Sequence, residues 1–233
     1  MTISLPKRLS SLLACLSLAA TSALAAAPDV NEHRTIRAMS GAAPINQLEP
    51  ATTALLVIDF QQEYFTGRMP IPNGQKAVNK ALELLAFADK NKIPVIQVQH
   101  ITPEGSAVFA RGSRGADFHP QMLPRVGDTV LQKNTVSVFG STELDRLLKE
   151  KGIKTVIISG LMTHACVAGA ARGAAPLGYQ VVVASDASAT RDIIRANGSK
   201  IDANTLHSAA LAEIEDTFGD VLTTAQIVQL PLM

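Results

Sequence analysis

Residues 54–59 read Ala-Leu-Leu-Val-Ile-Asp, five apolar residues running without interruption into an acid. A short continuous apolar run is the pattern of a strand covered on both faces, as the strands of parallel sheets are. Similar runs occur at Ile93–Val98, Lys154–Ser159 and Tyr179–Ala184, with weaker ones at Thr129–Leu131 and Val221–Leu222. Stretches of helical period lie between them. Val78, Ala81, Leu82, Leu85 and Ala88 set one over 75–91, and Leu144, Leu147 and Leu148 set another over 142–151 behind a Ser141 or Thr142 cap. An Ala-rich segment at 167–175 and helical stretches at 202–214 and 224–229 complete the alternation. Strands separated by helices of this length require right-handed crossovers. The expected fold is therefore α/β, a three-layer Rossmann-like arrangement with a mainly parallel sheet of about six strands and helices on both faces.

The chain has 233 residues, 47% of them hydrophobic, enough to bury the core of one domain. Basic and acidic residues nearly balance, 21 against 20, and no basic block stands out, so a nucleic-acid partner is not expected. Residues 1–25 have the pattern of an export signal: Lys7 and Arg8, an apolar run of small residues from Leu9 to Leu24, and the small-x-small site Ala23-Leu24-Ala25, with Ala27 as an alternative cut. Ser10, Ser11, Ser17, Thr21 and Ser22 interrupt the run, which argues against a membrane anchor. The expected location is periplasmic or secreted, with no membrane association after cleavage. Residues 26–50, with Pro28, Pro44 and Pro50, are read as an extended arm, and 51–233 as the folded domain. Cleavage would remove Cys15 and leave Cys166 as the sole thiol, without an internal disulfide.

Ligands of open parallel sheets bind at the carboxyl ends of the strands. Asp59 closes the first strand, Lys133 follows the weak strand at 129–131, and Cys166 lies just past the strand that ends at Ser159. Each has an ordinary reading, as a turn acid, a solvated lysine and a small buried residue of an Ala-rich helix. Together they suit nucleophilic chemistry. A cysteine attacks as thiolate, its free pKa is about 8.5, and an ammonium or a helix N-terminus lowers it. An aspartate beside it would take the thiol proton and return it to a leaving amine. The trio therefore suits attack on an amide or a similar acyl carbon.

Three ordered motifs carry a resemblance. They are Leu55-Leu56-Val57-Ile58-Asp59-Phe60-Gln61, then Lys133-Asn134-Thr135-Val136-Ser137-Val138-Phe139 with Ser141-Thr142-Glu143-Leu144, then Gly160-Leu161-Met162-Thr163-His164-Ala165-Cys166-Val167. With the acidic turn 185–192, they make the chain over about 51–228 resemble the isochorismatase-like cysteine hydrolases. The resemblance implies Cys166 as nucleophile, Asp59 as acid and base, and Lys133 as the cation that orients the pair. It also implies a cis peptide between Leu161 and Met162, with the N–H groups of Met162 and Cys166 as oxyanion donors. By analogy it implies a homo-oligomer. His164 stands where Asn or Asp is frequent in the family, which bears on the substrate pocket.

Phe60, His100, Phe139 and His164 are further candidates to line a pocket for a small-molecule substrate. His164 is also an alternative base for Cys166, and Phe109, Arg111, Arg114 and Phe118 of the long loop 100–127 are possible substrate contacts. His33 and His207 are expected to be solvated. Gln97-Val98-Gln99-His100 lacks the Asp-x-His spacing of the family's metal-dependent nicotinamidases, so neither a metal nor a cofactor is expected. The leading reading is an exported amide hydrolase. Hydrolysis of a vinyl ether such as isochorismate, and a non-catalytic thiol protein for binding or redox sensing, are the alternatives.

Overall fold

The computed structural model describes Met1 and residues 33–233; the expected signal at 1–25 and the first part of the arm, 26–32, lie outside the described residues. Residues Arg34–Met233 pack as one unit. In chain order its elements are α1 (Ile36–Met39), β1 (Thr53–Ile58), α2 (Gly74–Asn91), β2 (Val95–His100), β3 (Thr129–Lys133), α3 (Leu144–Glu150), β4 (Thr155–Leu161), α4 (Ala168–Ala174), β5 (Gln180–Ala189), β6 (Ile193–Ile194), β7 (Lys200–Ile201), α5 (Ala203–Thr217), β8 (Asp220–Leu222) and α6 (Thr224–Val228). Six strands form one parallel sheet in the order β3-β2-β1-β4-β5-β8, and β6 and β7 form a separate antiparallel hairpin.

The continuous apolar runs are explained by burial on both faces. In β1, Leu55 and Val57 face a core shared with α2 and α6, while Ala54, Leu56 and Ile58 face a second core shared with α3, α4 and α5. The central pair is unusually close. Gly160 of β4 lies opposite Ile58 at φ +155°, and a Cβ there would strike the Ile58 carbonyl oxygen and stand 2.7 Å from its Cβ. Only glycine lets the strand that precedes Asp59 run against the strand that precedes the nucleophile turn.

Three segments differ from the sequence reading. The stretch 185–189, expected as a turn, continues β5 past a register shift, with Ser188 and Ala189 pairing Gly160 and Leu161. Its polar residues are accommodated locally: Asp186 Oδ1 accepts hydrogen bonds from the Thr224 N–H (2.7 Å) and Oγ1 (2.8 Å) at the start of α6. The arm is docked rather than simply extended. Arg37 pairs with Asp220 at 3.1 Å, Leu48 is buried, and Met233 donates to the Leu48 carbonyl at 3.0 Å. The long loop holds single helical turns at Arg114–Ala116 and Pro120–Met122 and is stitched by Thr102, whose N–H donates to the Phe109 carbonyl at 3.0 Å.

Candidate active site

Asp59 is the first residue past β1, and its N–H still donates to the Val98 carbonyl of β2 at 2.9 Å. Its backbone then turns into the left-handed region at φ +54°, which Asp tolerates better than most residues. Gln61 locks the turn. Its side chain accepts from the His100 N–H (2.8 Å) and donates to the carbonyls of His100 (2.9 Å) and Ala116 (2.7 Å), tying the ends of β1 and β2 to the loop. Lys133 is the last residue of β3, and Cys166 lies in the single π-type turn Thr163–Val167 between β4 and α4. Wide turns of this kind recur at functional sites. The Leu161–Met162 peptide leading into it is cis, as the resemblance implied.

These ends converge. The Lys133 ammonium lies 2.8 Å from Asp59 Oδ2, with both side chains fully buried, and donates to Cys166 Sγ at 3.3 Å. The approach to Asp59 lacks hydrogen-bond alignment, so its carboxylate oxygens retain lone pairs for another donor. Burial opposes the charge of Lys133, but Asp59 and the Cys166 sulfur outweigh it and hold the lysine above its ordinary value. The thiol behaves otherwise than the sequence led us to expect. Cys166 is only 6% exposed, and burial and the Asp59 charge push its pKa well above that of a free cysteine, with Lys133 pulling back only in part. In this geometry burial and the neighbouring Asp59 favour the thiol over a preformed thiolate. Alkylation of Cys166 by iodoacetamide, followed by peptide mass spectrometry, should therefore still accelerate up to about pH 10, while the guanidinium-unfolded chain follows an ordinary thiol near about 8.5. A folded-state midpoint near neutrality would contradict this charge balance.

Of the pocket candidates, His100 reaches the triad: its Nδ1 is 2.9 Å from Lys133 Nζ. His164 does not bond Cys166. Its Nδ1 meets Thr190 Oγ1 at 2.6 Å, and burial and Arg191 hold it below the ordinary histidine value, so the alternative Cys-His pairing is not formed. Phe60 is a core residue, 1% exposed, on the α2 face. Phe139 packs 6.0 Å from Tyr179 and beside Gly173, against the core that also holds Cys166. His207 is half-buried rather than solvated, with its Nδ1 2.8 Å from Thr163 Oγ1 at the start of the nucleophile turn. His119 packs at a tilt against Phe65, 4.3 Å between ring centroids.

Sequence reasoning passed over Tyr64 and Arg191. Tyr64 is 2% exposed, and its phenol is pushed up by burial and by the nearby charges of Cys166 and Asp59. Phe109 packs edge-on against both Tyr64 (5.2 Å) and His100 (5.1 Å), which ties the loop to the end of β2. The charge of Arg191 acts on Tyr64 and His164, and its Nε is buried with no acceptor among the described residues. Tyr64 lies five residues beyond Asp59 in the first motif and was within reach of a longer reading of it. For Arg191 the signal was its place in the acidic turn 185–192, just past the end of β5.

The chain is similar to known proteins. The isochorismatase domain profile matches residues 53–226. A secreted isochorismatase effector of Verticillium dahliae is 33% identical over 193 residues, 83% of this chain and 98% of that protein. A maleamate amidohydrolase of Pseudomonas putida is 30% identical over 192 residues, 76% of this chain and 85% of that protein. The crystal structure of an isochorismatase from Pseudomonas putida superimposes with a TM-score of 0.77 at 30% identity, covering 83% of this chain and 98% of that one. With a parallel six-stranded sheet and a buried Asp-Lys-Cys cluster at its carboxyl edge, this chain belongs to the isochorismatase family of hydrolases.

Proposed function

We propose that the protein hydrolyses the C–N bond of a small amide through a thioester on Cys166. The observation that carries this reading is the buried contact of Lys133 with both Asp59 and Cys166. As the thiol sulfur attacks the carbonyl carbon, its proton passes to Asp59 and the C=O pair moves onto oxygen, where the N–H groups of Met162 and Cys166 receive it. Among the described residues the Met162 N–H has no acceptor, which leaves it free for this role. Collapse of the adduct breaks the C–N bond, with Asp59 returning the proton to the leaving amine. Water then attacks the thioester, Asp59 takes its proton, and the acid departs as the thiol reforms. Lys133 holds the transient thiolate throughout.

The substrate reading follows from charge. A buried Arg191 Nε–H without an acceptor among the described residues suits a carboxylate or carbonyl oxygen on the substrate, in line with a relative that acts on maleamate. A sensor would need an exposed, easily ionised thiol, and Cys166 is neither. Export remains part of the proposal, supported by the pattern of residues 1–25 and by the secreted relative; among the described residues no helix is long and apolar enough to cross a membrane. A homo-oligomer is likewise proposed, by family analogy, and sedimentation of the purified chain measures it.

Asp59→Asn tests the mechanism because its two readouts should move oppositely. Removing the base should lower kcat on a panel of small carboxylated amides by about 10²–10⁴-fold. Removing the negative charge should at the same time ease thiol ionisation and speed alkylation of Cys166. Loss of both together would mean collapse of the site, and retained turnover would exclude Asp59 as the base.

A further inference from the structure

An ammonium has three N–H bonds, and that of Lys133 has four neighbours. They are Asp59 Oδ2 at 2.8 Å, His100 Nδ1 at 2.9 Å, the Thr135 carbonyl at 3.2 Å and Cys166 Sγ at 3.3 Å. Which of them it serves depends on where its nitrogen is held. Lysine can only donate, so the contact with His100 requires a lone pair on Nδ1 and hence a neutral imidazole with its proton on Nε2. The ring is well placed to act as a fixed point. Gln61 clamps the His100 backbone at both its N–H and its carbonyl, and Phe109 packs edge-on against the imidazole.

We propose that His100 is a positioning residue for Lys133, a neutral acceptor that holds the ammonium within reach of the Cys166 sulfur without consuming its charge. The inference rests on the amidase reading only through the part Lys133 plays there. The choice of a neutral group has an electrostatic reason. A carboxylate at this point would give the ammonium a second anion beside Asp59 and leave less positive potential for the thiolate. Histidine fixes the nitrogen and stays uncharged. Lys133 from β3 and Asp59 after β1 are the charged groups acting on the ring, while Gln61 and Phe109 supply an amide and an aromatic edge. Burial and the Lys133 charge hold His100 below the ordinary histidine value, with Asp59 pulling the other way, which keeps the ring neutral at neutral pH. As the thiol loses its proton to Asp59, the N–H that Lys133 already directs at the sulfur has only to tighten, with His100 as the pivot.

The test pairs His100→Ala with His100→Asn, since an asparagine Oδ1 can occupy the place of Nδ1 as a neutral acceptor. The readouts are the rate of iodoacetamide alkylation of Cys166 at about pH 8, which needs no substrate, and kcat and KM on the amide panel. His100→Ala should lower the alkylation rate and kcat by about 10-fold or more while KM stays within about 3-fold, and His100→Asn should restore both rates to within about 3-fold of the original. Alkylation of His100→Ala at the original rate would overturn the proposal. So would failure of asparagine to rescue, or a rise in KM at constant kcat, which would make His100 a substrate contact. If the amidase reading itself failed, hydrolysis would be absent from every form, and the alkylation rates alone would still decide the role of His100.

Discussion

Cys166→Ala should abolish amide hydrolysis, with kcat falling by on the order of 10⁵-fold or more, because among the described residues no other thiol can form the acyl intermediate. Sγ is what Lys133 touches at 3.3 Å, and His164, the other conceivable nucleophile or base in the turn, is engaged with Thr190. The fold should survive. Cys166 is a small residue at the start of an Ala-rich helix, and deleting one sulfur there should change stability by about 1 kcal/mol or less. Denaturant unfolding and turnover measured on the same preparation separate the two effects. Turnover within tenfold of the original by a folded Cys166→Ala variant would rule out covalent catalysis, and product analysis with an amide and a vinyl ether would then show which chemistry remains. Cys166→Ser, whose hydroxyl ionises far less readily, should fail in the same way.

Lys133→Met should be costly in a different currency. The substitution keeps the length of the side chain but leaves Asp59 buried without its cation, and breaking a buried pair by removing one partner typically destabilises by about 3–5 kcal/mol. Asp59 and Lys133 are both fully buried at 2.8 Å, so little water reaches either to compensate. Turnover should fall by about 10²–10³-fold with the loss of the charge that holds the thiolate. The double variant Lys133→Met with Asp59→Asn distinguishes a lost ion pair from lost packing. If the uncompensated carboxylate is the cause, the double variant should recover a large part of the stability lost by Lys133→Met; equal or additive destabilisation in urea would show that it is not.

Much of this was legible in the chain, and the reasons are local. β1 and β4 announce themselves because strands covered on both faces must be apolar at every position, and Asp59, Lys133 and Cys166 stand out because each breaks that pattern at or beyond a strand end. What was lost depends on depth and pairing. The extension of β5 is written in Ser185, Asp186 and Ser188, residues that read as a turn until Thr224 and Gly160 are known to lie beside them. Phe139 carries the motif that follows Lys133, but only the fold shows its ring packed on Tyr179. The thiol was misjudged for a similar reason. Residue types name an ammonium that would lower its pKa, but only the fold shows how thoroughly water is excluded and how close the carboxylate lies.

The position of β3 has a consequence for turnover. This strand is one edge of the sheet, bonded on one side only, with Val130 and Gln132 exposed, and its final residue is the lysine that touches the nucleophile. Edge strands open more readily than central ones, by local fluctuations that leave the rest of the structure intact. An opening of this kind would withdraw the ammonium from Asp59 and Cys166 while β1 and β4 stayed paired. Hydrogen exchange along Thr129–Lys133 should therefore report the fraction of molecules competent at any moment, and substitutions that tighten this outermost ladder should raise that fraction without touching the chemistry.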